Sequence, residues 1–354
     1  MALTSRGKAL VAGGTVVAVL GGGMAALALS GSAPESVLNA VDKFVPGDQT
    51  PPEPCPLTGE TLAGDKEPPS RPVLAVKVEN TPDAQPLAGL QKADIVYEEV
   101  VEGGITRFVV LFHCDDVDRV GPVRSIRSTD PDILAPFSEH PLLAFSGGSK
   151  GVRTIVEDAG MTTMDESSAA RAFTRDDDRV APHDLFTSTK PLWAEGKTAA
   201  KGEPAPASPF AYGDDVPKPS KKARTATVEF SGLATAEWRW QKGQWVRYLD
   251  GAPMMLESGE PITTDNVVIQ VVKTTESDFQ DVAGYPSPEV DLTGKGKAWV
   301  LRDGKLIVGK WERADVGGFT TFLTKSGEEI TLTPGTTFVE LAPTGMFDAE
   351  ISFG

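Results

Sequence analysis

An uncharged, apolar stretch at the N-terminus constrains this chain more than any other feature. Residues 9–29 contain no charged side chain and follow Arg6 and Lys8. About 20 apolar residues cross a bilayer as a helix, and a basic flank stays on the cytoplasmic side. Residues 1–30 are therefore predicted to be a membrane anchor or a signal sequence. Everything after Ser30 would then fold outside the membrane, which the chain contacts through residues 9–29.

Anchoring and release both remain open at this point. Ala26-Leu-Ala28 and Ala28-Leu-Ser30 fit the small-residue pattern that signal peptidase cleaves. No cysteine follows the apolar stretch, which argues against a lipid attached there. A buried core helix is a poor alternative, because the segment is rich in glycine and lies at the extreme N-terminus.

The two cysteines, Cys55 and Cys114, are disulfide candidates in an oxidising compartment. A bridge over a loop of that length stabilises a fold by about 4 kcal/mol in the chain-entropy model. Cys55 lies between prolines, where a lone thiol has no packing role, and this favours pairing. Two separate thiols, with Cys114 buried at the end of a strand, are the alternative.

The charge of the chain excludes several classes of ligand. A formal net charge of -16 over 354 residues leaves only the run from Lys218 to Arg224 as a concentrated basic segment, so nucleic acid is not an expected partner. Three histidines and no Cys/His pair at ligand spacing argue against a zinc site. No metal and no cofactor is predicted.

Two Pro-rich stretches divide the remainder of the chain. Residues 31–70 are predicted to be a tether and residues 196–225 a linker. Between them, residues 71–195 form an N-terminal domain of the α/β or α+β class. Residues 226–354 form a mostly antiparallel β domain, a sandwich or a partly open barrel.

The two domains differ in their element patterns. In the first, β-branched runs at 72–78, 93–100, 106–113 and 142–145 predict strands, and spacing at 152–159 predicts a helix. In the second, X-Gly turns join runs at 237–241 and 244–249, at 298–301 and 306–308, and at 319–323 and 329–332, which predicts hairpins. A final strand is expected at 337–341.

Carboxylates cluster around one strand end of the N-terminal domain. Glu98, Glu99 and Glu102 precede a Gly103-Gly104 turn, after which comes Arg107. Alternation along a strand places Glu98 and Glu99 on opposite faces, so one of them would point into the core. A buried carboxylate needs a partner, and Arg107 across the turn is the expected one.

A second cluster is typical of anion binding. Arg124, Ser125 and Arg127 supply two guanidinium groups that can hold a carboxylate or phosphate through paired hydrogen bonds. Gly147, Gly148 and Ser149 lie where a strand turns into a helix, whose dipole favours an anion. The turn does not match the nucleotide-binding Gly-rich pattern, and surface ion pairing of both arginines is the alternative.

His183 is the histidine whose surroundings best suit catalysis. It follows a charged, loop-like stretch, where it could exchange protons or position a ligand. A structural or simply exposed histidine is the alternative.

The chain resembles the YerB-like family of bacterial proteins, which are regarded as lipoproteins. The resemblance is carried by motifs spread over almost everything after the tether: Cys55-Pro-Leu-Thr-Gly59, residues 89–98, Val101-Glu-Gly-Gly-Ile-Thr-Arg107, Val120-Gly-Pro-Val-Arg-Ser-Ile-Arg127, Gly147-Gly-Ser149, Ala181-Pro-His183 and residues 263–268 and 294–311. It implies a cell-surface protein with two domains of unknown function. Met254 stands where the family tends to carry histidine, which argues against a ligand role for that stretch.

Three functions compete on these residues. The first is binding of an anionic or glycan component of the cell envelope by Arg107, Arg124, Arg127 and the glycine turn, with Trp238 and Trp240 as a platform for sugars or as core residues. The second is an envelope hydrolase or transferase that uses Glu99 or Glu102 with His183 as acid and base. The third is a scaffold in which these charges only pair. The expected partner is an envelope polymer or a membrane-associated protein, and whether the chain is an enzyme stays open.

Overall fold

The computed structural model describes residues 10–12, 15–20, 23–25, 52–64, 66–198, 203–281 and 284–354. The chain divides into two compact units, residues 1–51 and residues 52–354. In the first unit, β1 (Leu10–Ala12), β2 (Thr15–Leu20) and β3 (Gly23–Ala25) form an antiparallel sheet where the sequence predicted an anchor or signal sequence. The other residues of that segment, and residues 31–51 of the predicted tether, lie outside the described residues. Within the described ranges, no helix is long and apolar enough to cross a bilayer.

Strands dominate the second unit. Its first half, up to residue 198, contains β4 (Leu74–Glu79), β5 (Ile95–Val100), β6 (Thr106–Phe112), β7 (Leu142–Ala144), β8 (Thr162–Met164), β9 (Phe173–Arg175) and β10 (Leu185–Thr187). Its helices are α1 (Asp130–Leu134), α2 (Lys150–Asp158) and α3 (Thr189–Gly196), with 3-10 turns at Pro82–Ala84, Leu90–Lys92, Glu102–Gly104 and Ala170–Ala172.

The second half of this unit has strands as its regular elements. They are β11 (Ser220–Lys222), β12 (Thr225–Ser231), β13 (Ala234–Gln241), β14 (Gln244–Leu249), β15 (Ala252–Pro253), β16 (Thr263–Thr264), β17 (Asn266–Gln280), β18 (Pro286–Asp291), β19 (Gly294–Arg302), β20 (Lys305–Arg313), β21 (Thr321–Thr324), β22 (Thr337–Gly345) and β23 (Glu350–Phe353). The hairpins predicted for β13–β14 and β19–β20 are confirmed. The run at 329–332 makes isolated bridges instead of a strand.

One large mixed sheet runs through both halves. Its order is β11-β20-β19-β17-β22-β5-β6-β4-β7-β8, with β18 paired to β17 and β21 to β20. The two halves join where β22 pairs with β5 in parallel register, Glu340 opposite Glu98. A six-stranded sheet, β15-β14-β13-β12-β23 with β16, is separate. The protein is therefore mostly β, and both predicted domains share a sheet.

The large sheet is covered on both faces. One core cluster joins its residues, such as Phe108 and Phe338, to Val228 and Trp238 of the six-stranded sheet. The other joins residues such as Val109 and Val339 to Ile133 of α1 and to Val152 and Val156 of α2. Charged residues in the middle strands are consequently buried whichever way they point.

The ordered fold begins earlier than the predicted tether allows. Leu57 is fully buried, and Tyr212 donates a hydrogen bond to its carbonyl oxygen. Cys55 and Cys114 are joined by a disulfide. The predicted linker also packs, since Ser220–Lys222 pairs with β20 and Phe210 is only 9% exposed. Apolar residues and the disulfide override the Pro-rich composition of both stretches.

Candidate functional site

Strands β4, β6 and β5 lie side by side and carry many of the ionisable residues. Arg107 on β6 lies opposite both Glu79 on β4 and Glu99 on β5. Directly opposed side chains share a face, so these three lie on one face and Glu98 on the other. Glu98 and Glu99 are each 1% exposed. The expectation that only one of them points into the core is wrong, because packing covers both faces.

Glu99 pairs with Lys77 and not with Arg107. Lys77 Nζ donates to Glu99 and, at 2.6 Å, to Asp130 Oδ1, and all three side chains are almost completely buried. Burial raises the pKa of Glu99, and the charge of Lys77 opposes that rise. Lys77 thus pairs with both carboxylates in the interior of the protein. Glu99 is therefore poorly placed to reach a substrate.

The partner of Arg107 is Glu79, which the sequence did not single out. The carboxylate of Glu79 accepts from His183 Nδ1 at 2.8 Å and lies 3.3 Å from Arg124 Nε and 3.7 Å from Arg107 Nη2. Glu79 is 2% exposed. One buried carboxylate thus gathers both arginines and fixes the orientation of His183. The expected pairing of His183 with Glu99 or Glu102 is wrong, since each of those carboxylates has other partners.

The three arginines meet at a pocket of about 370 Å³, the arginine pocket. Every residue that the sequence proposed for ligand binding lines it: Arg107, Arg124, Ser125, Arg127, Gly147, Gly148 and Ser149. Glu102 also lines it, and Gln280, Asp281 and Ser287 enter from the β17–β18 hairpin. Motifs separated along the sequence therefore form a single concave site.

Backbone hydrogen bonds hold the arginine segment in place. Arg124 N donates to Lys77 O on β4, and Ile126 N donates to Gly147 O. Gly147 has a φ of +93°, and a Cβ there would lie 2.7 Å from Ser125 Oγ. A side chain at this position would be both strained and crowded. Glycine thus allows the two loops to approach closely at the pocket.

The glycine turn leads into helix α2. Ser149 is the N-cap, and its Oγ accepts from Val152 N at 3.3 Å. The first backbone N–H groups of a helix lack partners within the helix and carry partial positive charge. The pocket therefore combines a helix N-terminus with guanidinium groups.

Each arginine retains hydrogen-bonding capacity after its protein contacts are made. Arg127 donates to Ser125 O, Ile126 O and Glu102, which uses three of the five N–H groups of a guanidinium. The Nε atoms of Arg107, Arg124 and Arg127 are all buried without a hydrogen-bond acceptor among the described residues. Burial lowers the pKa of Arg107 to about 10, so it stays charged near neutral pH. Buried donors of this kind require an acceptor.

Glu102 lies at the other side of the arginine pocket. It accepts from Arg127 Nη2 and from Ser287 Oγ, and its side chain is 6% exposed. Ser287 belongs to β18, so this contact ties the hairpin to the turn after β5. Glu102 is the only carboxylate from the enzyme hypothesis that reaches the pocket.

A different cluster occupies the opposite face of β5. Arg247 Nη2 lies 2.9 Å from Glu98 and Arg247 Nη1 3.3 Å from Glu340, while Trp238 Nε1 donates to Glu340 at 2.7 Å. Burial, and next the charge of Glu98, raise the pKa of Glu340 well above its usual value. Trp238 is fully buried here, so it is a core residue and offers no platform for sugars. We call these four residues the Arg247 cluster.

Cys55, Cys114 and His113 also lie close together, at the spacing of metal ligands. Both sulfur atoms are used in the disulfide, whereas metal ligation requires thiolates. Burial lowers the pKa of His113 to about 4, so it is neutral at physiological pH. This group stabilises the fold and does not suit a metal ion.

Comparison with known proteins identifies the family. Residues 57–202 match the N-terminal domain of DUF3048, described as a protein of unknown function, and residues 226–339 match its C-terminal domain. The chain belongs to the DUF3048 family. It is 26% identical over 296 residues to "Putative lipoprotein YerB" of Bacillus subtilis, which covers 82% of this chain and 86% of that protein. The resemblance to YerB seen in the sequence is confirmed.

A solved structure supports the same relation. The crystal structure of the YerB protein from Bacillus subtilis matches with a TM-score of 0.70 and 26% identity, covering 84% of this chain and 99% of that chain. The two DUF3048 domains of the present chain are not separate sheets, because β5 from the first pairs with β22 at the end of the second. The arginine pocket likewise takes residues from both.

Sequence reasoning missed several residues of this DUF3048 site. Glu79 and Lys77 lie on β4, where alternating residues of an apolar run are charged, and that alternation was the available signal. Asp130 and Ser287 carried no local signal. Their roles depend on contacts with residues that are distant in the sequence.

Proposed function

We propose that this protein is an extracytoplasmic component of the cell envelope that binds an anionic envelope ligand at the arginine pocket. Residues 9–29 would hold it at the membrane or be removed on export. The lipoprotein name of the Bacillus subtilis relative supports the location. In this proposal an N-terminal α/β domain supplies the arginines and a C-terminal β domain supplies Ser287.

The observation that carries the proposal is the convergence of three arginines with unused donors on one concave site. Arg107, Arg124 and Arg127 come from β6 and the loop after it, and their Nε atoms are buried without acceptors among the described residues. Guanidinium groups recognise carboxylates and phosphates through two parallel hydrogen bonds. The helix that starts after Ser149 adds backbone N–H groups. An anion in the pocket would accept from N–H groups of the arginines that line it and from these backbone N–H groups.

Retention on envelope material tests this proposal. Purified full-length protein is mixed with isolated cell-wall material and sedimented, in buffer and with added inorganic phosphate. We expect the wild type to sediment, Arg124→Ala to stay in the supernatant, and phosphate to compete. Arg171→Ala is the matched control, since Arg171 is exposed and lies outside the pocket. Equal retention of wild type and Arg124→Ala would reject the arginine pocket as the site.

An envelope hydrolase or transferase is the second candidate. It is favoured by the 2.8 Å contact of His183 with Glu79, since a carboxylate at Nδ1 fixes the tautomer and leaves Nε2 as a proton acceptor. Arg124 Nη1 donates to Pro182 O, which places this pair beside the pocket. Mass spectrometry of the supernatant checks the idea: fragments released by the wild type and not by His183→Gln would support it. Release that is unchanged in His183→Gln, or absent in both, would exclude it.

A further inference from the structure

The arginine pocket contains groups of both signs, and this limits what can bind there. On the donor side are the guanidinium groups of Arg107, Arg124 and Arg127 and the N-terminus of α2. On the other side are the carboxylates of Glu102 and Asp281, the hydroxyl of Ser287 and the amide of Gln280. A bare anion would be attracted by the first set and repelled by Glu102.

Glu102 has the capacity to accept more hydrogen bonds than it receives. An ionised carboxylate offers about four lone-pair sites. Within the described residues, Oε1 accepts from Ser287 and Oε2 from Arg127. Further donors on a ligand would turn the repulsion by Glu102 into attraction. Hydroxyl groups are such donors and carry no charge that the nearby arginines would oppose.

The volume of the pocket agrees with a ligand larger than a single ion. About 370 Å³ is near the lower end of the range of roughly 300–1,000 Å³ for small-molecule sites. A phosphate group placed among the arginines would leave room toward Glu102 and Ser287. Ile126 and Val152 also line the pocket, so a short hydroxylated chain or one sugar ring could place its carbon atoms against them and its hydroxyls toward Glu102.

We infer that the arginine pocket takes a phosphate ester whose alcohol part carries neighbouring hydroxyl groups, of the kind found in a glycerol phosphate unit. The phosphate lies against Arg107, Arg124, Arg127 and the start of α2. The hydroxyls donate to Glu102. This inference rests on the proposed anion-binding function and adds the class of ligand.

Calorimetric titration of the full-length protein tests the ligand class with four probes: glycerol 3-phosphate, inorganic phosphate, glycerol and ethanolamine phosphate. We expect glycerol 3-phosphate to bind at least about tenfold more tightly than inorganic phosphate, because hydrogen bonds to a charged group are the strong ones. Glycerol alone should not bind measurably. Ethanolamine phosphate should bind no better than glycerol 3-phosphate.

Three variants distinguish binding of the phosphate group from recognition of the hydroxyl groups. Arg124→Ala should lose both phosphate probes, whereas Glu102→Gln should keep inorganic phosphate and reduce the preference for glycerol 3-phosphate to about twofold or less. Ser287→Ala keeps the charge of Glu102 and frees one of its oxygens, so it replaces Glu102→Gln if that variant does not fold. It should leave the preference for glycerol 3-phosphate over inorganic phosphate unchanged or increase it. Arg171→Ala is the control.

Each contrary result has a distinct meaning. Equal binding of inorganic phosphate and glycerol 3-phosphate would overturn the ligand class and leave anion binding intact. Tighter binding of ethanolamine phosphate that is lost in Glu102→Gln would show that Glu102 recognises an ammonium group, which also overturns it. If Ser287→Ala, in which Glu102 is intact, loses the preference for glycerol 3-phosphate, the hydroxyls are recognised by Ser287 and the inference is contradicted. Binding of no probe by any form would reject both the ligand class and the phosphate site.

Discussion

The two faces of strand β5 contain clusters made from the same residue types, yet one is enclosed between two sheets and the other borders a pocket. On the face of Glu98, the Arg247 cluster sets one guanidinium between two carboxyl groups, with side chains at most 2% exposed. On the face of Glu99, three arginines border the arginine pocket. Both clusters leave polar atoms without a hydrogen-bond partner among the described residues, Nε of Arg247 as well as Nε of Arg107, Arg124 and Arg127. The difference therefore lies in the surroundings, since the Arg247 cluster is enclosed between two packed sheets and the three arginines border open space.

Removing the arginine of the Arg247 cluster should have the largest effect on the free energy of unfolding. Arg247→Met leaves Glu98 buried without its cation, and breaking a buried pair costs about 3–5 kcal/mol. Urea unfolding followed by circular dichroism measures the loss of stability. Arg239→Met is the control, since the Arg239 side chain is 35% exposed and its loss should destabilise the protein much less than Arg247→Met. A loss of less than about 1 kcal/mol in Arg247→Met would show that the cluster does not fasten the sheets.

Substitution of a glycine in the arginine pocket should have the second-largest effect on stability. Gly147→Ala places a Cβ against Ser125 Oγ at a φ of +93° and should cost about 1–3 kcal/mol and weaken phosphate binding. Gly160→Ala is matched, because Gly160 also has a positive φ, +77°, with open space around it. Unfolding and titration of both variants separate crowding from backbone strain. Equal behaviour of the two would mean that the close approach to Ser125 is unimportant.

The arginine pocket should tolerate loss of an arginine better than the Arg247 cluster does. Arg124→Ala leaves Glu79 paired with Arg107 and His183, so we expect a loss of only about 1 kcal/mol in the free energy of unfolding. The same urea titration measures it beside Arg247→Met. If Arg124→Ala unfolds as easily as Arg247→Met, the pocket arginines are structural and the contrast between the faces disappears.

Glu340→Gln should change stability least, by less than about 1 kcal/mol, because glutamine keeps an oxygen that can accept from Trp238 Nε1 and Arg247 Nη1. The raised pKa of Glu340 means that its carboxyl already binds a proton more tightly in the folded state than in the unfolded state. Above pH 4.5, Glu340 therefore binds more protons in the folded state than in the unfolded state. The free energy of unfolding consequently falls as pH rises from 4.5 to the raised pKa. The variant should lack that part of the pH dependence. Unfolding curves at several pH values would contradict this if both proteins showed the same slope.

The sequence predicted the pocket better than it predicted the pairs. Arg124, Arg127 and the glycine turn were recognisable because anion sites use local chemistry, two cations and a helix start. The partners of Glu98 and Glu99 were not recognisable, since Arg247 and Asp130 are far away along the chain. Strand alternation correctly separated Glu98 from Glu99, but it could not show that both faces are covered.

The fold was predictable to a similar degree. Turn residues located the β13–β14 and β19–β20 hairpins, because a hairpin depends on a few neighbouring residues. The pairing of β22 with β5 had no local signal, and it joins the two halves into one sheet. Composition also suggested that segments around Cys55 and Phe210 were unstructured, where tertiary packing in fact orders them.

The parallel pairing of β5 with β22 has a consequence for the order in which the chain folds. Thr336, just before β22, donates to Ala93 O across 243 positions of the sequence. Contacts between residues this far apart in the sequence form late in folding, and a strand edge that is still unpaired is prone to aggregation. The first half of the protein therefore cannot finish its sheet until β22 has been synthesised. A chain stalled before β22 would leave one edge of β5 exposed to other chains.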